Sequence, residues 1–118
     1  MTTSASAVVS GVIVFDASAT PRSDATVRVT ISDVGRADAA AVEVARLDLA
    51  DVTVKPGETL RFEITVAAVD PRAHYQVRVH VDATGSGAVK SGDQVSVESI
   101  PVLTRGHPDR VRVRVREV

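Results

Sequence analysis

The sequence predicts an all-β protein, a seven-to-eight-stranded antiparallel β-sandwich of the immunoglobulin or transthyretin type. Valine supplies 24 of the 118 residues, and its branched Cβ suits a pleated sheet better than a helix. Apolar and polar residues alternate with a period of two in several short segments, as they do in half-buried strands. These segments recur every 8 to 15 residues with turn residues between them, which is typical of two packed sheets.

The first half of the chain contains three predicted strands. Residues 8–15 form a mostly apolar segment, and residues 26–33 alternate regularly. In residues 41–49 the phase of the alternation changes by one residue, which predicts a β-bulge or an edge-strand bend near Ala45-Arg46. A short helix, favoured by the alanines at 39–41, is the alternative for this segment.

The second half contains four more strands. Residues 60–66 follow a Pro-Gly turn, residues 75–81 follow an Asp-Pro turn, and a sixth strand begins at Val95. In residues 110–118, valines alternate with arginines. No linker divides the chain, so residues 8–118 are predicted to form a single β-sandwich domain after a flexible N-terminal segment, residues 1–7.

Two turns contain residues to which we assign structural roles. Tyr75 follows the Asp70-Pro71 turn and opens a strand. This resembles the tyrosine corner of immunoglobulin-like sandwiches, where the hydroxyl group hydrogen-bonds to backbone a few residues upstream. Gly106 precedes a His-Pro pair, and we expect it to supply the positive φ of a tight turn.

Composition excludes several classes of function. The absence of cysteine excludes disulfides, thiolate metal sites and cysteine nucleophiles. A net charge of −1 and 3% aromatic residues argue against a nucleic-acid partner. No segment approaches the roughly 20 apolar residues of a transmembrane helix. We expect a monomer or a weak homodimer formed through an edge strand.

The chain carries no recognisable catalytic or metal-binding motif. A Gly-x-Ser-x-Gly nucleophile elbow is absent. His74, His80 and His107 stand on different elements, and we do not expect them to converge on a metal. The aspartates that could form a carboxylate pair all occupy turn sequences, where Asp bonds local backbone; they are Asp33, Asp38, Asp70 and Asp93. We therefore predict no enzyme activity, no cofactor and no metal.

The last strand supplies the candidate contact surface. This surface comprises five arginines: Arg105, Arg110, Arg112, Arg114 and Arg116. Guanidinium groups along one face of a strand suit phosphate, acidic lipid or an acidic protein. The alternative is that they pair with carboxylates on a neighbouring strand, for example Glu63 or Glu98, or protect an edge strand from pairing with other chains.

Three stretches of the sequence resemble one protein family. They are residues 9–14 (Val-Ser-Gly-Val-Ile-Val), residues 33–39 together with 70–75, and residues 101–108 (Pro-Val-Leu-Thr-Arg-Gly-His-Pro). Together they are similar to the YbaY/YscW family of small bacterial β-sandwich lipoproteins, whose type III secretion members are called pilotins. The resemblance extends from about residue 8 to residue 118 and is most specific in residues 101–108.

The resemblance implies a non-catalytic module that acts through contact with a protein partner and is related to the envelope or to secretion. Two alternatives remain: a binder of anions or acidic lipid surfaces through the last strand, and a carrier of small ligands, which would need a concave pocket. Family members are anchored by a lipid on an N-terminal cysteine, which this sequence lacks. We expect a cytoplasmic location for the sequence as it stands, and the cell envelope if a native signal precedes it.

Overall fold

A computed structural model describes residues 5–35 and 40–118 of the chain. This part of the chain forms eight β-strands, which in order are β1 (Ala7–Val14), β2 (Arg22–Asp33), β3 (Val42–Val54), β4 (Thr59–Val66), β5 (Tyr75–Asp82), β6 (Gln94–Ser96), β7 (Ile100–Val102) and β8 (Arg110–Glu117). The all-β prediction and the predicted strand number are confirmed. Among the described residues, no helix has the length and apolar character needed to cross a membrane.

The strands form one continuous sheet rather than two separate ones. Their order is β3-β2-β5-β6-β8-β1-β4, and β7 pairs with β5 beside β6. The short strand β6 pairs with both β5 and β8, so it joins the two halves of the sheet. The sheet curls until it is nearly closed, and its ends are β3 and β4.

The prediction of two packed, purely antiparallel sheets of the immunoglobulin type is wrong, because the strands form one mixed and nearly closed sheet. β8 lies parallel to β1, with Gly11 opposite Val111, whereas the other pairs are antiparallel. Side chains alternate between two faces in parallel and antiparallel strands alike. The period of the sequence therefore does not distinguish the two arrangements.

Alternating apolar residues of all the long strands fill the interior. In β8, Val111, Val113 and Val115 are buried, as the alternation predicts. Other core side chains with almost no exposure are Val9, Ile13, Val27, Val29, Ile31, Val77, Val79 and Val81. Burial of one such side chain stabilises the fold by about 1.5–3 kcal/mol. Because the side chains of a strand alternate between its two faces, burial of these residues also determines which residues lie on the outer face.

The predicted change of phase in β3 is confirmed. Ile31 pairs with Ala45 but Ser32 pairs with Glu43, so Val44 is the extra residue of a bulge, one position before the predicted place. The helical alternative is wrong for residues 42–54, which are extended. Ala39, on which that alternative partly depended, lies outside the described residues.

The predicted sixth strand is in fact two short strands. β6 and β7 are separated by residues 97–99, and β7 contains Pro101. Proline is tolerated there because β7 pairs with β5 only and is otherwise an edge. Of the predicted flexible segment, residues 1–4 lie outside the described residues. Ala7 begins β1, and the carbonyl of Ala5 accepts a hydrogen bond from the N–H of Val69 at 3.0 Å.

Candidate contact surface and a buried carboxylate cluster

Four arginines of β8 form an exposed row on the outer face of the sheet; this arginine row consists of Arg110, Arg112, Arg114 and Arg116. They point outward because the valines between them are buried. Within residues 5–35 and 40–118, none of the four has a carboxylate oxygen within 4.0 Å. Glu63 lies opposite Ser10 in β1, and Ser10 is in turn opposite Arg110. Two strand spacings, about 9–10 Å, therefore separate that carboxylate from the row, and the expected cross-strand ion pair is not observed.

Strand β1 places apolar side chains beside the arginine row. Val12 lies between Arg112 and Arg61 in the registers of β1, and Val14 lies opposite Arg114. Both valines are half-buried. The outer face thus combines a line of positive charge with a parallel line of aliphatic side chains.

Gly11 determines how closely β8 approaches β1. A Cβ atom on Gly11 would overlap the backbone carbonyl of Val111. A depression of about 670 Å³ lies beside Gly11 and is lined in part by Arg61, Glu63 and Arg110. Because the obstructing atoms are backbone, a larger residue at position 11 would move the strand that carries the arginine row.

The fifth candidate arginine lies in the preceding loop. Arg105 donates from Nη2 to the carbonyl oxygen of Arg72 at 3.4 Å and has a φ of 58°. The next residue, Gly106, has a φ of 81°. Thr104 anchors this loop, since its buried hydroxyl donates to the carbonyl of Ala73 at 2.6 Å. Arg105 is therefore held by loop geometry and not by the β8 ladder.

The Asp70-Pro71 turn and Tyr75 are linked by a hydrogen bond. The N–H of Asp70 donates to Tyr75 Oη at 2.9 Å, and the tyrosine is 4% exposed. The Asp70 carboxylate accepts a bond from the N–H of Arg72. The tyrosine hydroxyl is thus engaged with backbone five residues upstream.

Two buried carboxylates organise the loop between β5 and β6. Asp82 is 2% exposed and Asp93 is 0% exposed. Asp82 accepts hydrogen bonds from the N–H groups of Thr84, Gly85 and Gly87 at 2.8–3.2 Å. These bonds close the first half of the loop around one side chain.

Asp93 closes the second half and connects the loop to the sheet. Its Oδ1 accepts from the N–H of Ala83 at 2.9 Å, and its Oδ2 accepts from the N–H of Lys90 at 3.1 Å. Oδ2 also lies 2.8 Å from His80 Nε2. A carboxylate only accepts hydrogen bonds, so His80 carries its proton on Nε2.

Both buried carboxyl groups are ionised, although burial opposes it. Burial raises the pKa of Asp82, but the N–H bonds from Gly87, Gly85 and Thr84 outweigh it, and the pKa lies below its usual range. Burial likewise raises the pKa of Asp93, and the bond from His80, followed by those from backbone, lowers it further than burial raises it. The loop is therefore stabilised by charge-assisted hydrogen bonds.

His80, Asp82 and Asp93 also offer three ligand atoms within 4.8 Å of one another. Every carboxylate oxygen of the group, however, already accepts at least one N–H bond. A metal ion would have to displace buried donors, which is costly. The geometry is that of a loop anchor, and the residues do not fit a resident metal.

Sequence reasoning missed this cluster, and it also separated two histidines that the structure brings together. Asp82 and Asp93 meet because the loop between them folds back on itself. The glycines of this loop, which follow His80-x-Asp82 in the sequence, were the signal that could have indicated such a turn. His74 and His107 line one cavity of about 330 Å³, so only His80 stands apart from the other histidines. Asp38, named among the aspartates, lies outside the described residues.

Comparison with known proteins gives one family and one solved structure. The family model described as type III secretion system lipoprotein chaperone (YscW) matches residues 4–115. An alternative pilotin from the type II secretion system of Vibrio cholerae has a similar fold, with a TM-score of 0.73 over 96% of this chain and 97% of that chain. The two share 17% sequence identity. No curated protein matches.

Proposed function

The chain belongs to the YscW family of type III secretion system lipoprotein chaperones, and from this premise we propose that it binds an acidic protein partner through the arginine row. A chaperone family of this kind is non-enzymatic and is associated with secretion at the cell envelope. The observation that supports the proposed surface is the row itself: four outward guanidinium groups without a carboxylate partner among the described residues.

The row has the properties of a protein-binding surface. Alternate residues of a strand are about 6.5–7 Å apart, so the four guanidinium groups extend over about 20 Å. Arginine is enriched among residues that dominate binding energy, and its planar fork bonds carboxylates in a bidentate manner. Val12 and Val14 supply apolar contact beside the charges, and complementary charge accelerates association.

The partner we propose is an acidic segment of an envelope protein of a secretion system. The similar solved structure is a pilotin of such a system. The depression beside Gly11, which is lined by Glu63 as well as by Arg61 and Arg110, offers a recess for one side chain of that segment. The expected complex weakens as salt rises, because exposed charges are screened over about 10 Å at 0.1 M salt.

Affinity purification from envelope extracts, followed by reconstitution with the purified partner, tests the proposal. The triple variant Arg112→Gln, Arg114→Gln, Arg116→Gln should reduce the affinity for that partner at least tenfold. A triple variant of Lys55, Arg72 and Lys90 to Gln makes the same change in net charge elsewhere on the surface and should bind normally. Equal binding by both triple variants would contradict a role for the arginine row.

A second candidate for the same row is an acidic lipid surface. The observation that favours it is that the row lies on an outward sheet face beside half-buried valines. Each arginine near an anionic membrane contributes about 1 kcal/mol to binding. Flotation with phosphatidylserine vesicles and with phosphatidylcholine vesicles distinguishes a lipid surface from a protein partner. If the row binds lipid, the protein should float with the phosphatidylserine vesicles only. The triple variant of Arg112, Arg114 and Arg116 should not float with either.

A further inference from the structure

A groove opens on the outer face where β5 loses its neighbour. β5 pairs with β7 through residues 75–77 and with β6 through His80 and Val81. Between these ladders, residues 97–99 do not pair with β5, so Arg78 and Val79 have no ladder partner on that side. The N–H of Val79 donates instead to Ser96 Oγ at 3.2 Å, and the N–H of Val97 donates to the carbonyl of Arg114 in β8 at 2.9 Å. The resulting β5 groove has a volume of about 440 Å³. The interrupted pairing of β5 therefore creates this recess.

Among the described residues, the β5 groove contains one arginine without an ion-pair partner. Arg78 donates from Nε to Ser99 Oγ at 2.8 Å, and among the described residues its terminal nitrogens make no hydrogen bond and no carboxylate oxygen lies within 4.0 Å. The neighbouring Arg28 differs, because Asp48 accepts from it at 2.9 Å. Arg78 is therefore the cation in the groove that is available to a ligand.

Two exposed valines contribute apolar surface to the β5 groove. Val89 is 57% exposed and Val97 is 51% exposed, and both line the groove. Val89 belongs to the loop that Asp82 and Asp93 hold through buried hydrogen bonds. The backbone on both sides of Val89, at Gly87 and Lys90, is thus held before any ligand binds, which reduces the entropy lost on binding.

We infer that the β5 groove binds an extended peptide segment that carries one carboxylate beside an aliphatic side chain. The carboxylate bonds the free Nη groups of Arg78, and the aliphatic side chain lies between Val89 and Val97. Glu98 also lines the groove, so a segment with several acidic residues is repelled and a single carboxylate is preferred. The groove contains no residue of the arginine row, so this inference does not depend on the proposed function.

Titration of the ¹⁵N-labelled protein with a synthetic peptide, acetyl-Gly-Leu-Glu-Val-Gly-amide, followed by NMR, tests the inference. We expect shift changes centred on Arg78, Val89 and Val97, and a weaker response to the same peptide with Gln in place of Glu. Arg78→Gln should weaken binding about tenfold, since a hydrogen bond to a charged group is lost. Glu98→Gln should strengthen it by removing repulsion.

Matched variants separate the groove from the rest of the surface. Val97→Ser should weaken binding, whereas Val42→Ser, at a comparably exposed valine of β3, should not. Arg112→Gln should also leave peptide binding unchanged. The inference is overturned if the Gln peptide binds equally well or if millimolar peptide causes no shift. It is also overturned if the shifts centre on the arginine row, or if decanoate displaces the peptide and binds more tightly than it. Dispersed spectra of each variant establish that it is folded.

Discussion

The arginine row and the loop anchored by Asp82 and Asp93 both carry charges, but the charges of the row are exposed and those of the loop are buried. The two carboxylates are almost wholly buried, and each of their oxygens accepts a hydrogen bond. The arginines of the row are exposed, and none has a carboxylate partner among the described residues. A buried charge is retained only where partners replace water, whereas water alone solvates an exposed one. The first arrangement serves architecture, and the second leaves groups free to bind other molecules.

The largest effect is expected where a buried carboxylate is removed. Asp93→Ala leaves the N–H groups of Ala83 and Lys90 and the ring of His80 without their acceptor. We expect a loss of about 3 kcal/mol or more in the free energy of unfolding, measured in urea. Asp109→Ala, at an exposed aspartate before β8, is the matched control and should change stability by less than about 0.5 kcal/mol. Similar losses in both variants would remove the distinction between the two regions.

A smaller loss is expected from Gly11→Ala, which disturbs the strand carrying the arginine row. The new Cβ meets the backbone carbonyl of Val111, and such overpacking costs about 2 kcal/mol. Urea unfolding measures the loss. Ser10→Ala, on the neighbouring outward position, should be close to neutral. If Gly11→Ala were equally neutral, the close approach of β1 and β8 would not be rigid.

Acid should weaken the anchored loop, by less than deletion of a carboxylate does, because a protonated carboxyl group still accepts hydrogen bonds. The folded-state pKa values of Asp82 and Asp93 lie below the usual range. The folded state therefore binds fewer protons than the unfolded state, and stability is lost as pH falls from about 4, the ordinary carboxyl pKa, through the lower folded-state values. Unfolding free energies at pH 7, 4 and 3 should decline less steeply in Asp93→Asn than in the unmodified protein.

Asp16 and Asp48 also contribute to the loss of stability in acid. Their pKa values are also lowered, for Asp16 by hydrogen bonds from the N–H groups of Ser18 and Glu117, and for Asp48 by the bond from Arg28. Asp93→Asn should therefore retain part of the pH dependence. An unchanged slope in this variant would place the whole acid effect outside the anchored loop.

The smallest effect is expected in the arginine row. Because Arg112, Arg114 and Arg116 lack ion-pair partners among the described residues, their joint replacement by Gln should shift the unfolding free energy by less than about 0.5 kcal/mol. Reduced repulsion among neighbouring arginines would make the change slightly stabilising. Thermal and urea unfolding measure it, and a clear loss of stability would show that the row is structural.

Much of the fold could be predicted because local alternation reports burial directly. The valines of β8, the bulge of β3 and the run of β4 were all predictable from the chain within one or two residues. The split between β6 and β7 was not, because a three-residue strand is too short to show a period. The same split created the β5 groove, so its Arg78 had no signal in the sequence.

By itself the sequence determined which side chains enter the core and which face water, since that depends on the period of each strand. It therefore determined that Arg110, Arg112, Arg114 and Arg116 form an outward row. Only the tertiary structure decided what lies beside them. The parallel pairing of β8 with β1 gave the row valines instead of carboxylates, and the returning loop brought Asp82 and Asp93 to His80. The pairing of β8 with β1 joins the two ends of the chain and depends on closure of the sheet, whereas the contact of Asp93 with His80 joins the two ends of one loop. Local propensity sets neither contact.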